Sequence, residues 1–316
     1  MKFYSGDFKL FGSKGWDRGA SVRASPNRYA LPDDIEEQLK SRDWFLPGAL
    51  PWLSDPSIQK LGVVTRHNLL ARYLVFFLDY TAELEHKIVN PAVEIIAHDA
   101  LQLGLPYEIR NAAFQLYTDE GYHALVSAAL SEEVCRYYGA SNYHRVVHRV
   151  LRIQQQQQLN KPWSKLAKLV SGFVSETSIT KELLDFTSKD LVDPSYHLLH
   201  DHLMDEVQHS QFFHHAFSCV WSKLDEKSKD FASVFMKNII LEFFRLDDFW
   251  LKTTLSDVGI SEQDINRIQC DLEASTAIAK RTRSGTSGTV KSLKLMGFFD
   301  HKANLQSFRQ AGLVDG

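Results

Sequence analysis

Residues 196–215 read YHLLHDHLMDEVQHSQFFHH, and within them His202, Glu206 and His209 stand at i, i+4 and i+7. That spacing places all three on one face of an α-helix. A second fragment, DEGYH from Asp119 to His123, repeats the Asp-Glu-x-x-His pattern of DEVQH from Asp205 to His209. Two such helices, facing each other, bring two carboxylates and three imidazoles to one point. Buried charge of that kind needs compensation, and a pair of metal ions is the simplest source.

Two further stripes each carry a single acid among apolar neighbours. Leu78, Thr81, Ala82, Glu85, Ile88, Val89 and Ala92 share a face in an apolar-periodic run over 63–98, with Asn90-Pro91 as the expected kink. Glu83 falls on the wet side of that helix with Asp79, His86, Lys87 and Asn90. Leu169, Gly172, Phe173, Glu176, Ile179, Thr180 and Leu183 line a helix expected over 163–186. Glu120 and His123 belong to a helix over 107–138, in a stripe with Ala113, Leu116, Tyr117, Ala124 and Ser127. Glu120 follows Glu85 by 35 residues and Glu206 follows Glu176 by 30, so the halves read as a pseudo-repeat of two helical hairpins.

One glutamate from each of two helices plus Glu-x-x-His from each of two others is the ligand set of a carboxylate-bridged dinuclear site. Glu85, Glu120 and His123 are assigned mainly to one ion, and Glu176, His209 and His202 mainly to the other. Glu120 and Glu206 are the expected bridges. Asp119 and Asp205, each just before a bridge, are expected to accept the outer N–H of a ligand histidine across the bundle. Mixed carboxylate and imidazole donors favour iron or manganese over a thiolate-type metal. The bland alternative is a set of solvated residues on misassigned helix faces; two matching DExxH segments weigh against it. His197, His200, His214 and His215 lack comparable partners and read as structural or surface residues. No HExxH occurs in the central segment, so a zinc-protease reading has no support.

The rest of the chain is bounded more coarsely. Its 316 residues, 44% hydrophobic and 24% charged with formal charge −3, describe an ordinary globular protein without a nucleic-acid surface. Three cysteines without CxxC spacing argue against a disulfide framework. There is no apolar run before Gly12 and no span-length hydrophobic stretch, so the expectation is a cytoplasmic chain with no membrane contact.

Breakers through residues 1–55 indicate an irregular arm, with Trp44, Phe45 and Trp52 as packing anchors or entrance residues. Residues 56–224 form the metal-binding helical core and 225–316 add helices and a tail, giving one all-α domain over 1–316. HRVVHRVLRIQQQQQLNKPW reads as a solvated connection, a fifth helix is expected over 230–251, Ser261 caps a sixth, and RTRSGTSGT reads as a loop.

At Glu85, Glu120-x-x-His123, Glu176 and His202-x-x-x-Glu206-x-x-His209 the chain resembles the p-aminobenzoate N-oxygenase family, over roughly 63–213. The histidine one turn before the second ExxH separates this resemblance from generic ferritins and desaturases. The resemblance implies a ferritin-like bundle holding two irons, with manganese or a mixed pair also accepted by this ligand set. By that similarity the chain uses dioxygen to take a primary amine to hydroxylamine, nitroso or nitro products in specialised metabolite, including antibiotic, biosynthesis.

The substrate would be an aryl amine, an amino acid or a carrier-protein-bound aminoacyl group. No flavin or nicotinamide fingerprint is present, so the electron donor is external. Phe77, Tyr117 and Phe173 are candidates for the substrate pocket, and Arg281 or Arg283 for a substrate carboxylate. A homodimer is compatible with this reading. The competitors are a diiron C–H hydroxylase or desaturase, and a non-enzymatic iron-storage or iron-sensing protein.

Overall fold

The computed structural model describes residues 13–24, 29–139 and 147–315. The arm contains α1 (Ser13–Gly19), α2 (Ser21–Ala24), α3 (Ile35–Gln38) and α4 (Pro56–Gln59), with two 3₁₀ turns (Pro47–Ala49 and Pro51–Ser54) between α3 and α4. The part that carries the candidate ligands follows as α5 (Val63–Leu84), a π turn over Glu85–Val89, α6 (Asn90–Ala97), α7 (Tyr107–Tyr137), α8 (His148–Leu159), α9 (Ser164–Phe186) and α10 (Asp193–Lys223). The C-terminal part is α11 (Glu226–Phe243), α12 (Asp248–Asp257), α13 (Glu262–Ala274), α14 (Thr276–Gly285), α15 (Ser287–Leu295) and α16 (Lys302–Gln310). Among the described residues there is no strand, only an isolated bridge between Asp43 and Leu191 that ties the arm to the start of α10. The all-α, ferritin-like architecture expected from the sequence is the one observed.

Four long helices make the central bundle: α5 with its continuation α6, then α7, α9 and α10. α5 and α6 pack on α7, and α9 packs on α10 and α6, so each half of the pseudo-repeat is a hairpin and the two hairpins close on each other. Gly172 sets the approach of α6 to α9. A Cβ at that position would overlap the Cβ of Ala92 and press on the Phe213 ring. Local signals fix several helix starts. Asp225 accepts from Ser228 N at 2.8 Å, Asp247 from Trp250 N at 3.2 Å, and Ser261 from Asp264 N at 3.1 Å, as its capping role requires.

The core falls into two apolar clusters, one at each end of the bundle. One gathers Ile88, Ala92, Leu116, Phe173, Phe213 and Phe217; the other gathers Trp44, Phe45, Leu74, Leu78, Leu183 and Leu199. The polar layer described below lies on the same helices between them. Trp44, Phe45 and Trp52 are all buried, so the arm packs as expected.

Five local expectations are revised. The kink at Asn90-Pro91 is a π turn that begins at Glu85; Pro91 has no N–H to offer Lys87 and its ring would crowd that carbonyl, so the turn widens upstream. Asp79 and Asn90 are buried rather than wet, and Asp79 accepts a 2.7 Å bond from Ser131. The glutamine-rich connection forms α8, which buries Val150 and Ile153 (its first residues, 144–146, lie outside the described set). The RTRSGTSGT segment is helical, because Gly288 lets α15 approach the Thr177 carbonyl and Thr289 bonds to Thr177 at 2.7 Å. The fifth helix ends at Phe243, and α12 starts separately under the Asp247 cap. The reading of the first twelve residues as carrying no signal peptide falls outside the described residues. No helix among the described residues is long and apolar enough to cross a membrane.

Candidate metal centre

Glu85, Glu120, Glu176 and Glu206 are fully buried, and His123, His202 and His209 nearly so. All seven come together. Glu85 sits at the first position of the π turn, Glu120 and His123 on α7, Glu176 on α9, and His202, Glu206 and His209 on α10. Their ligand atoms form three overlapping groups, each within 4.8 Å: Glu120 with His123, Glu206 and His209; Glu85 with His202 and Glu206; and Glu85 with Glu120 and Glu176.

Glu120 and Glu206 occupy the middle. Glu120 Oε2 lies 3.0 Å from His123 Nδ1 while its Oε1 lies 2.8 Å from His209 Nδ1. Glu206 Oε1 lies 3.2 Å from His209 Nδ1, 3.0 Å from His202 Nε2 and 3.6 Å from His123 Nδ1. Each of these two carboxylates therefore reaches both sides of the site. His202 departs from its expected grouping. It lies 3.7 Å from Glu85, and its ring centre is 4.1 Å from that of His123, so it belongs with Glu85 and His123. Glu176 keeps His209 as its neighbour, at 3.8 Å. The i+4 spacing from His202 to Glu206 carries the extra imidazole one turn toward the N-terminus of α10, and hence toward the π turn rather than toward His209.

The outer ring nitrogens pair crosswise. His209 Nε2 lies 3.2 Å from Asp119 Oδ2, and His123 Nε2 lies 3.1 Å from Asp205 Oδ2. The acid preceding each central glutamate thus braces the histidine of the other half, leaving both Nδ1 atoms aimed inward. A third layer comes from the arm. Trp16 Nε1 donates to both oxygens of Asp119 at 2.9 Å, and the Ser21 N–H donates to Asp205 at 3.1 and 3.2 Å. Sequence reasoning missed these two braces, because an arm broken by glycines has no periodicity that points at a target.

Burial first, then the charges of Glu120 and Glu206, push the Glu85 carboxyl well above its usual range, and burial with Glu206, Glu120 and Glu85 does the same to Glu176. Burial also opposes ionisation of Glu206, but the His209 charge and hydrogen bonds from His202 and His209 outweigh it and hold that carboxyl well below its usual range. Glu120 is likewise lowered, against burial, chiefly by His209. Burial disfavours the charged forms of His123 and His209 too, yet their carboxylate partners raise both well above the imidazole range. His202 is lowered by burial and by the charge of His123.

Both oxygens of Glu85 and of Glu176 are buried without a hydrogen-bond partner among the described residues, as is Glu206 Oε2. Leaving such groups unpaired is costly, and a neighbouring cation removes the cost. Four carboxylates balance two divalent ions, and three imidazoles complete a nitrogen and oxygen donor set of the type that iron and manganese accept. The residues fit a metal pair.

The substrate-pocket candidates fare unevenly. Phe77 is buried against Phe45 and Phe186, and Phe173 stacks on Phe217 with ring centres 4.3 Å apart; both are core residues. Tyr117 is 42% exposed and faces solvent, because it follows Leu116 onto the outer flank of α7. Arg283 pairs with Asp315 on the C-terminal surface, away from the bundle interior. Arg281 does line a cavity, of about 670 Å³, together with Trp52, Tyr73, Glu182, Phe186 and Ile278. Its Nη2 donates to Glu182 Oε1 at 2.7 Å. Glu182 also borders a small gap lined by Leu84 and Ser175, the residues preceding Glu85 and Glu176. The chamber is assembled from the arm, α5, α9 and α14, so no single stretch of sequence announces it.

Comparison with known families matches residues 20–297 to p-aminobenzoate N-oxygenase AurF, a longer span than the helices that carry the ligand motif. With the match extending over most of its length, the chain belongs to the p-aminobenzoate N-oxygenase AurF family.

Proposed function

We propose that this chain is a diiron N-oxygenase that uses dioxygen to oxidise the amino group of an aryl amine. The observation that carries the reading is the crosswise bracing of His123 and His209 around four buried glutamates, two of which have both oxygens unsatisfied. On this reading Glu85, His123 and His202 would hold one iron, Glu176 and His209 the other, with Glu120 and Glu206 shared. When bound, the irons supply the electrons that activate dioxygen for transfer of one oxygen atom to nitrogen.

The protein's own part is placement. The chamber of about 670 Å³ offers Trp52, Tyr73 and Phe186 to an aromatic ring. Its charged wall, Lys280 and Arg281 with Glu182 and Asp185, orients a polar substituent away from those faces. An amine directed toward the gap beside Leu84 and Ser175 would stand next to the residues that precede Glu85 and Glu176. Apolar walls such as Phe243, Phe244 and Ile179 around that gap keep bulk water from the reacting nitrogen. Oxidation to hydroxylamine and onward to nitroso or nitro products, an amino-acid or carrier-bound alternative substrate, an external reductase or ferredoxin-like donor, a role in specialised metabolism and a homodimeric assembly belong to the same proposal.

Anaerobic reconstitution with ferrous iron, followed by oxygen and a panel of aryl amines, amino acids and carrier-bound aminoacyl groups, tests it. Mass gain on the nitrogen of an aryl amine is the expected result. A competent two-iron protein that oxidises only carbon across the panel overturns it.

A further inference from the structure

Trp16 stands half-buried at the inner face of the arm, where its indole N–H is shared by both oxygens of Asp119 at 2.9 Å. Asp119 meets His209 Nε2 at 3.2 Å, and the same imidazole turns Nδ1 to Glu120 and Glu206 at 2.8 and 3.2 Å. Two hydrogen bonds therefore connect an accessible aromatic ring to a fully buried cluster. The equivalent position in the other half differs. There a buried backbone N–H, that of Ser21, braces Asp205. Bracing alone requires only a donor, so the choice of a large conjugated ring at Asp119 is unexplained by it.

The surroundings of Trp16 add to the contrast. A cavity of about 230 Å³ opens along its edge, lined also by Gly15, Gly19, Met204 and Gln208. Exposed Arg23 lies beside Trp16 on the same arm, its guanidinium 5.7 Å from the indole centre and 3.4 Å from Asp17.

We propose that Trp16 is the electron-entry residue: a one-electron carrier protein docks on the arm beside Trp16 and Arg23 and passes electrons through Trp16, Asp119 and His209 to the metal pair. The inference rests on the metal-pair reading above. A monooxygenation needs two electrons from outside, the chain has no flavin or nicotinamide fingerprint, and the ligands are too deeply buried for direct contact with a carrier. Electronic coupling survives better across hydrogen bonds than across van der Waals gaps, which favours the Trp16 route over neighbouring packing contacts. In the step, two reduced carriers each lose one electron and the two ions each gain one, passing from the +3 to the +2 state. No covalent bond forms or breaks, and Trp16 keeps its indole proton. Trp16 acts through Asp119 and His209, as a positioning residue.

The test uses the full chain loaded with iron and oxidised, mixed without oxygen against either a reduced [2Fe–2S] ferredoxin or reduced methyl viologen, a small diffusible donor. Loss of the oxidised site's absorption is followed in stopped flow, and bound iron is counted beforehand. Trp16→Phe is expected to slow reduction by the ferredoxin about tenfold or more, while reduction by the viologen and the iron count stay at wild-type values. Met204→Leu, at the same cavity, should leave both rates unchanged. Equal ferredoxin rates in wild type and Trp16→Phe overturn the proposal. So does an equal fall with both donors, or a lowered iron count, since either assigns Trp16 a purely structural role. No amine is present, so failure of the N-oxygenation reading leaves the result standing; a wild type that takes up no pair of ions overturns both.

Discussion

His123 Nε2 meets Asp205 Oδ2 at 3.1 Å, although 82 residues of sequence separate them and they sit on different helices of the bundle. The contact uses the outer ring nitrogen and leaves Nδ1 facing Glu120 and Glu206. A single proton position thereby fixes which nitrogen is offered to a metal. Asp205→Asn should weaken iron binding about 10–100-fold, and Asp119→Asn should do the same through His209. Titration of each variant with ferrous iron measures the effect; unchanged affinity in both would remove the bracing argument.

Loading the site should expel protons. His123 and His209 hold theirs because their carboxylate partners outweigh burial, and Glu85 and Glu176 hold theirs chiefly because burial disfavours the charged form. Ligation needs all four bare, so binding releases protons and affinity falls as pH is lowered. Calorimetry in two buffers of different ionisation enthalpy counts them. Binding heats that do not depend on the buffer would contradict this charge arrangement.

The shared and unshared ligands should separate in metal counts. Glu206→Ala is expected to lose both ions, because that carboxylate touches His202, His209 and His123. His202→Ala should deplete the ion beside Glu85 and leave the one beside Glu176. Two fully occupied ions in purified Glu206→Ala would refute the bridging role.

At Gly172 the added methyl of Gly172→Ala would collide with Ala92 and force α6 and α9 apart. Overpacking of this kind costs about 1–3 kcal/mol. The thermal midpoint should fall, and iron retention should fall with it, since Glu85 and Glu176 approach each other across the same seam. A midpoint equal to wild type would show that the seam yields freely.

Far from the glutamate–histidine cluster, Arg267 Nη2 donates to Asp55 Oδ1 at 3.0 Å, and its hydrogen bonds hold the Asp55 carboxyl below the ordinary carboxylate range. A depressed carboxyl stabilises the fold fully above the unfolded-state value near ~3.9 and stops doing so as pH falls through the folded-state value. Arg267→Met should therefore lower the thermal midpoint at pH 6–7 (about two to three pH units above that value), with the gap to wild type closing in acid. A gap that stays constant down the pH scale would rule out the ion pair as its source.

The seven clustered glutamates and histidines were legible in the sequence because each sits at a helical repeat within a stripe of otherwise apolar residues, and periodicity reports helix faces well. The crosswise role of Asp119 and Asp205 was legible for the same reason, being one residue before a face already assigned. The grouping of His202 was not, because its partner Glu85 lies in a π turn whose register differs from the α-helical stripe used to align it. Tyr117 and Phe173 failed as pocket residues since nearness to a ligand along one helix does not say whether a side chain meets solvent, a neighbouring ring or a cavity. Helix α8 and the α14–α15 segment escaped because polar composition suggested solvent, whereas tertiary contacts made by Val150, Ile153, Gly288 and Thr289 hold them.

The widened turn at Glu85 is where the bundle absorbs about one residue more than a regular α-helix would hold between α5 and α6. If the same residues closed into a regular α-helix without losing one, everything beyond the turn would rotate by about 100° relative to everything before it. Glu85 would then keep its neighbours upstream and lose its alignment with Ala92 and the α9 seam, or the reverse. Removing one residue from Glu85–Val89 would instead restore a regular helix with the flanking faces nearly in place, so the length of this segment sets how Glu85 meets the α9 seam.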